Sequence, residues 1–125
     1  MDTVVHPVPT PPGCTLGIDV GGTTIAGVAV TTDPDGTPHT IASREVSAPH
    51  GARPLVRAIT GLCDALAGDV AGTAEARAIG IGTPGTVSDD GDVRDIANLG
   101  VAHVALRAEV ERRTGLPVRV ENDVN

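Results

Sequence analysis

The segment Ile18-Asp19-Val20-Gly21-Gly22-Thr23-Thr24 decides how this chain folds. Leu16, Ile18 and Val20 alternate with Gly17 and Asp19, the period-two pattern of a half-buried strand, and Gly21-Gly22 then turns the chain. Two glycines let a backbone approach a phosphate with no Cβ in the way. The Thr23 and Thr24 hydroxyls and the turn N–H groups are ready donors to phosphate oxygens. Asp19, at the strand end, is a candidate ligand for Mg²⁺ through water, because Mg²⁺ tends to keep its hydration shell. The alternative is an ordinary Gly-Gly hairpin beside a solvated Asp.

Outward from the hairpin, residues 25–32 read as the returning strand, and Asp33-Pro34-Asp35-Gly36 turns it into a third strand over 39–46. A helix is expected over 52–67. Pro54 fits its first turn, Leu55, Ile59, Leu62 and Leu66 form one apolar stripe, and Gly68 is the expected stop. Cys63 lies beside that stripe, so core packing is its expected role. Residues 77–82 read as a short buried strand, 83–95 as a Gly- and Asp-rich loop, and 105–114 as a second helix capped by Gly115. Val118 and Val120 make a last strand. The order is β-β-β-α-β-α-β, an α/β fold without internal repeats. Residues 1–14 hold Pro7, Pro9, Pro11 and Pro12 and read as a disordered leader, with order from Thr15. The chain ends on a loop of functional character, so 15–125 is expected to be the first lobe of a longer protein.

Composition narrows the chemistry. The 125 residues amount to one domain, 40% hydrophobic, without one Phe, Tyr or Trp, so the core is aliphatic and shallow. All nine basic residues are arginine. The lack of lysine excludes a Walker-A lysine, a Schiff base and a Ser-x-x-Lys nucleophile. A formal charge of -7 disfavours nucleic acid and anionic membranes unless the arginines cluster, and along the sequence they do not. Cys14 and Cys63 match no zinc spacing. A single disulfide is open to them, but two unlinked thiols is the preferred reading. Without an apolar span or a signal segment, a soluble cytoplasmic protein is expected. His6, His39, His50 and His103 form no i, i+4 pair, and Ser88-Asp89-Asp90-Gly91-Asp92 lacks EF-hand spacing and reads as a solvated turn.

Two further motifs carry chemistry. Gly80-Ile81-Gly82-Thr83-Pro84-Gly85 formally matches a dinucleotide fingerprint, but Pro84 and the loop beyond it deny the helix that a pyrophosphate needs. A tight turn presenting backbone groups to a small polar ligand fits better. Glu121-Asn122-Asp123-Val124-Asn125 follows a strand, where α/β folds place ligands. An Asp there can take a proton from a substrate hydroxyl that the neighbouring Asn orients. A helix N-cap is the competing reading.

Taken in order, LGIDVGGTTIAGVAV, AIGIGTPGTV, Asn98-Leu99-Gly100 and LPVRVENDVN resemble the N-terminal lobe of the ROK family (repressor, open reading frame, kinase) over residues 16–125. The resemblance implies an actin-like ATPase (ribonuclease H-like) fold of two lobes around ATP, and ATP-dependent phosphorylation of a sugar hydroxyl by a glucokinase-like hexose kinase. It makes Asp123 the general base, Asn122, Asn98 and Gly85 sugar contacts, and Gly21, Gly22, Thr23 and Thr24 the phosphate hairpin, with Mg²⁺ at Asp19. The adenosine pocket and a structural zinc site of Cys and His belong to the family's second lobe, so the lobe alone is expected to be inactive. Thr24 stands where the family often has Lys, and Val101 where it usually has Trp. The expected partners are a sugar and a nucleotide, with no nucleic acid and no membrane, and with a homodimer as an option at full length. Two rivals remain. One is a sugar-binding module that lost its chemistry. The other is a ROK repressor, against which the short Pro-rich stretch before Thr15 speaks, as it leaves no room for a helix-turn-helix.

Overall fold

The structure is a computed structural model and describes residues 11–123; most of the expected leader, residues 1–10, lies outside the described residues. Strand β1 (Gly13–Val20) starts two residues before Thr15. Gly13 and Cys14 are drawn into the sheet because β4 (Glu75–Thr83) reaches back to pair with them, and Cys14 is buried. β1 and β2 (Thr24–Thr32) form the expected hairpin, and β3 (Pro38–Ser47) adds to it antiparallel. β4 and the final strand join β1 in parallel. With β8 (Val118–Asn122) at one edge, the five-stranded order is β3-β2-β1-β4-β8.

Helix α1 (Ala52–Val70) does not stop at Gly68. Val70 extends the stripe by one more step of four and is buried. Asp69 accepts two hydrogen bonds from Arg44 of β3, at 2.6 and 2.8 Å. These tertiary contacts outweigh the ~1 kcal/mol that a helical glycine costs relative to alanine. Gly27 lets the helix lie close on the sheet, since a Cβ there would come within 2.8 Å of Leu66 and 3.0 Å of Leu62. Leu16, Ile18, Val20, Ile25 and Ala29 from the sheet and Leu55, Ile59, Leu62 and Leu66 from α1 share one buried, aliphatic core. Cys14 and Cys63 are both buried in it as unlinked thiols.

Residues 83–95 are not simply loop. β5 (Thr86–Val87), β6 (Val93–Ile96) and β7 (Val101–Val104) make a second, three-stranded antiparallel sheet, joined between β6 and β7 by a 3₁₀ turn, Ala97–Leu99. Period-two reading misses β6 because Asp95 has φ 62, so Val93 and Ile96 both turn inward at a spacing of three. Ser88–Asp92 is the connection between β5 and β6, exposed at Ser88, Asp89 and Asp90 and closed by Gly91 N–H donating to the Ser88 carbonyl at 2.9 Å. Helix α2 (Leu106–Thr114) ends as expected at Gly115, whose φ of 73 lets its N–H reach the Glu111 carbonyl at 2.8 Å. Among the described residues no helix is long and apolar enough to cross a membrane.

Candidate functional site

Alternation along β1 turns Leu16, Ile18 and Val20 toward the helices and leaves Asp19 exposed on the opposite face. The same holds for β4, where Ile79 and Ile81 are buried and Gly80 and Gly82 are not. In the parallel ladder Asp19 pairs with Gly82, and Gly82 with Glu121. A Cβ at Gly82 would lie 3.9 Å from Asp19 Oδ1 and 3.7 Å from Asp123 Cβ, so the two carboxylates flank a floor with no side chain. The strands that carry them are about 10 Å apart, two interstrand spacings. Asp123 continues the ladder past β8, its N–H donating to the Thr83 carbonyl at 3.1 Å. A groove of about 480 Å³ opens there, lined by Gly80, Gly82, Arg119, Glu121, Asn122 and Asp123.

The hairpin sits at the same end of the sheet. Gly21 N–H donates to the Thr24 carbonyl at 2.9 Å and closes the turn, while Gly22 and Thr23 are exposed at its tip. Their N–H groups take no part in the turn's own hydrogen bonds. Neither Gly21 nor Gly22 has a positive φ, so close approach, not backbone conformation, is what glycine serves here. A Cβ on Gly21 would meet the Thr24 carbonyl oxygen at 2.8 Å, and one on Gly22 would meet Asn98 Nδ2 at 2.7 Å. Asn98 faces outward because its neighbours Ile96 and Leu99 are buried, pinning the 3₁₀ turn. Gly51 N–H holds that turn through the Leu99 carbonyl at 2.7 Å, and Ala48 N–H holds the hairpin through the Thr23 carbonyl at 2.9 Å.

Gly85, with φ 96, has no room for a Cβ, which would come within 2.5 Å of the Arg94 carbonyl oxygen. Its own carbonyl accepts from Asn122 Nδ2. Val124 and Asn125 of the last motif lie outside the described residues. Asp19, Gly21 to Thr24, Gly85, Asn98, Asn122 and Asp123 thus gather at the carboxyl ends of β1, β4 and β8 or on the turns beside them. Val101 does not join them, being buried in the small sheet. Arg119 and Glu121, a pair at 3.2 Å, escaped sequence reasoning. Their signal is the alternation in β8 against Val118 and Val120, which becomes informative only once the parallel pairing with β4 is known.

The donor set suits a phosphate group with hydrated Mg²⁺. Exposed amides and the Thr23 hydroxyl lie at the hairpin tip, one carboxylate at Asp19, and a glycine floor at Gly82 between Asp19 and Asp123.

The family model described as the ROK family matches residues 15–125. The chain belongs to the ROK family. It is 36% identical over 117 residues to the glucokinase of Streptomyces coelicolor, covering 90% of this chain and 33% of that protein. Among solved structures, a ROK family glucokinase from Streptomyces griseus in complex with glucose and AMPPNP aligns with TM-score 0.73 at 39% identity, over 90% of this chain and 34% of that one. A ROK hexokinase from Thermus thermophilus aligns with TM-score 0.74 at 31% identity, over 90% and 36% of the two chains. A ROK family transcriptional regulator, at TM-score 0.75 and 21% identity over 89% and 28%, shares the fold. The chain spans about a third of the length of the relatives it matches. Its fold is that of the ROK sugar kinases, an actin-like ATPase fold.

Proposed function

We propose that this ROK chain carries the phosphate-binding and proton-accepting half of an ATP-dependent sugar kinase acting on a glucose-like hexose. The observation that supports this most directly is the pair Asp19 and Asp123 on either side of Gly82, beside a hairpin whose Gly22 abuts Asn98. Similarity to glucokinases, one of them bound to glucose and AMPPNP, supports the same substrates here.

In this reading the sugar lies against Asn98, Gly85 and Asn122. The Asn122 amide is oriented by its bond to the Gly85 carbonyl. Asp123 takes the proton of the attacking hydroxyl, and its position is set by the backbone bond to Thr83. The tip of the hairpin from Gly21 to Thr24 would donate to the phosphates, and Asp19 would hold hydrated Mg²⁺. MgATP, when bound, would supply the γ-phosphoryl group and leave as ADP, its Mg²⁺ offsetting the charge that develops during transfer.

The test is Asp123→Asn in the full-length protein, which removes the base and keeps its shape. kcat is expected to fall about 10²–10⁴-fold with sugar binding retained. A kcat within about threefold of wild type would remove Asp123 from the role of base. Sugar and nucleotide binding without turnover in the unaltered full-length protein would favour a module that kept the fold and lost the chemistry.

A further inference from the structure

Arginines that are dispersed in sequence converge in space. Of the nine in the chain, Arg53, Arg57, Arg112 and Arg113 line one groove of about 390 Å³ between α1 and α2. Val56 and Val104 contribute apolar walls, and Glu109 is the single carboxylate among its lining residues. Four guanidiniums against that carboxylate leave a local formal charge of +3, in a chain whose overall charge is -7.

Internal pairing does not account for this concentration. Glu109 is shared, lying 2.6 Å from Arg112 and 3.8 Å from Arg113. His103, on the rim, is held by Asp92 at 3.3 Å. Arg53 and Arg57 are exposed and make no ion pair among the described residues. Helix stability does not account for it either. Arg112 and Arg113 in the last turn of α2 complement the helix dipole, but Arg53 stands in the first turn of α1, which has no acidic residue, where a positive charge is disfavoured. Arg53 and Arg57 are also four residues apart, so the two like charges are neighbours on the helix surface.

We propose that this groove binds a compact anion carrying two or more phosphate groups. Guanidinium forks match phosphate oxygens in pairs, and the apolar walls strengthen each such contact. The anion must be compact, because the groove holds only about 390 Å³ and the rest of the chain carries a net negative charge; an extended polyanion would leave the groove and meet that repulsion. The site is separate from the one proposed for catalysis. α1 and α2 pack on the face of the sheet that buries Ile18 and Ile81, whereas Asp19 and Gly82 open on the other.

The probe is inorganic tripolyphosphate, titrated calorimetrically into the protein at about 50 mM salt, where surface charges are weakly screened. Amide NMR shifts report where it binds. Saturable shifts are expected at Arg53, Arg57, Arg112 and Arg113, and Arg53→Gln/Arg57→Gln is expected to weaken groove binding by about tenfold or more. Since both side chains are exposed, circular dichroism should show that the variant keeps its fold. Arg112→Gln/Arg113→Gln gives an independent second reading if it does not. Unchanged affinity in a folded variant, or shifts confined to residues 21–24, would overturn the groove while leaving the kinase reading intact. Citrate binding as tightly as tripolyphosphate would overturn the phosphate assignment, and tighter binding of a duplex oligonucleotide would overturn compactness.

Discussion

Gly22 shows how one missing Cβ couples two ligands. Its added Cβ would press on Asn98 Nδ2, the far end of a flexible side chain, and not on backbone. Gly22→Ala should therefore cost the fold little, within about 1 kcal/mol, but swing the Asn98 amide away from its place. In the full-length enzyme the sugar KM is expected to rise about three- to tenfold, together with the nucleotide KM. A rise in the nucleotide KM alone would mean that Asn98 does not contact the sugar. That coupling is not legible in the sequence, because the Gly22–Asn98 contact joins positions 76 residues apart. By contrast Asp123 was legible as a candidate, since a strand end followed by Asn-Asp is a local pattern.

At the scale of elements, α1 was legible because its stripe of Leu55, Ile59, Leu62 and Leu66 repeats at helical spacing and needs no partner to be seen. Its true end was not, because Val70 and Asp69 are held by contacts from elsewhere. The helix also carries a titratable group into the core. Burial, reinforced by Asp64, pushes the Cys63 thiol up to about 12 from an ordinary value of 9.0. The native protein should resist alkylation of Cys63 at pH 8 and react fully once unfolded. The unfolded thiol releases its proton near pH 9 while the folded one keeps it. This contribution to stability is therefore intact below pH 9 and is lost as the pH climbs toward 12, at about 1.4 kcal/mol per unit. Denaturant melts of wild type and Cys63→Ala across that range check the sign: the wild type should lose the larger amount.

For the molecule as a whole, one face of the five-stranded sheet is packed under α1 and α2, and the other presents Gly17, Asp19, Gly80, Gly82, Arg119 and Glu121. The proposed base, Asp123, lies at the end of that second face, in a groove lined mostly by small and polar residues, and the hairpin from Gly21 to Thr24 sits at the same end of the sheet. Since the chain spans a third of its relatives' length, these 125 residues by themselves are expected to show no sugar-dependent ADP release. A coupled assay on the purified chain with glucose and MgATP measures this directly. Turnover there would mean that the described groove suffices for catalysis.

Local chemistry was enough for the main strands, both helices, the hairpin and the ordered set of motifs, because alternation, helical stripes and glycine turns are written in neighbouring residues. Tertiary structure alone decided three things. It formed the second sheet, where the left-handed Asp95 breaks the alternation that a reader would look for. It set Asp19 and Asp123 on either side of Gly82, through parallel pairing of β4 with β1 and with β8, strands that are distant from it in the sequence. And it gathered four arginines from two helices into one groove, where the linear sequence offers only isolated charges. Each depends on pairing or packing between distant segments, and the free energy of those contacts leaves no periodic trace in either segment.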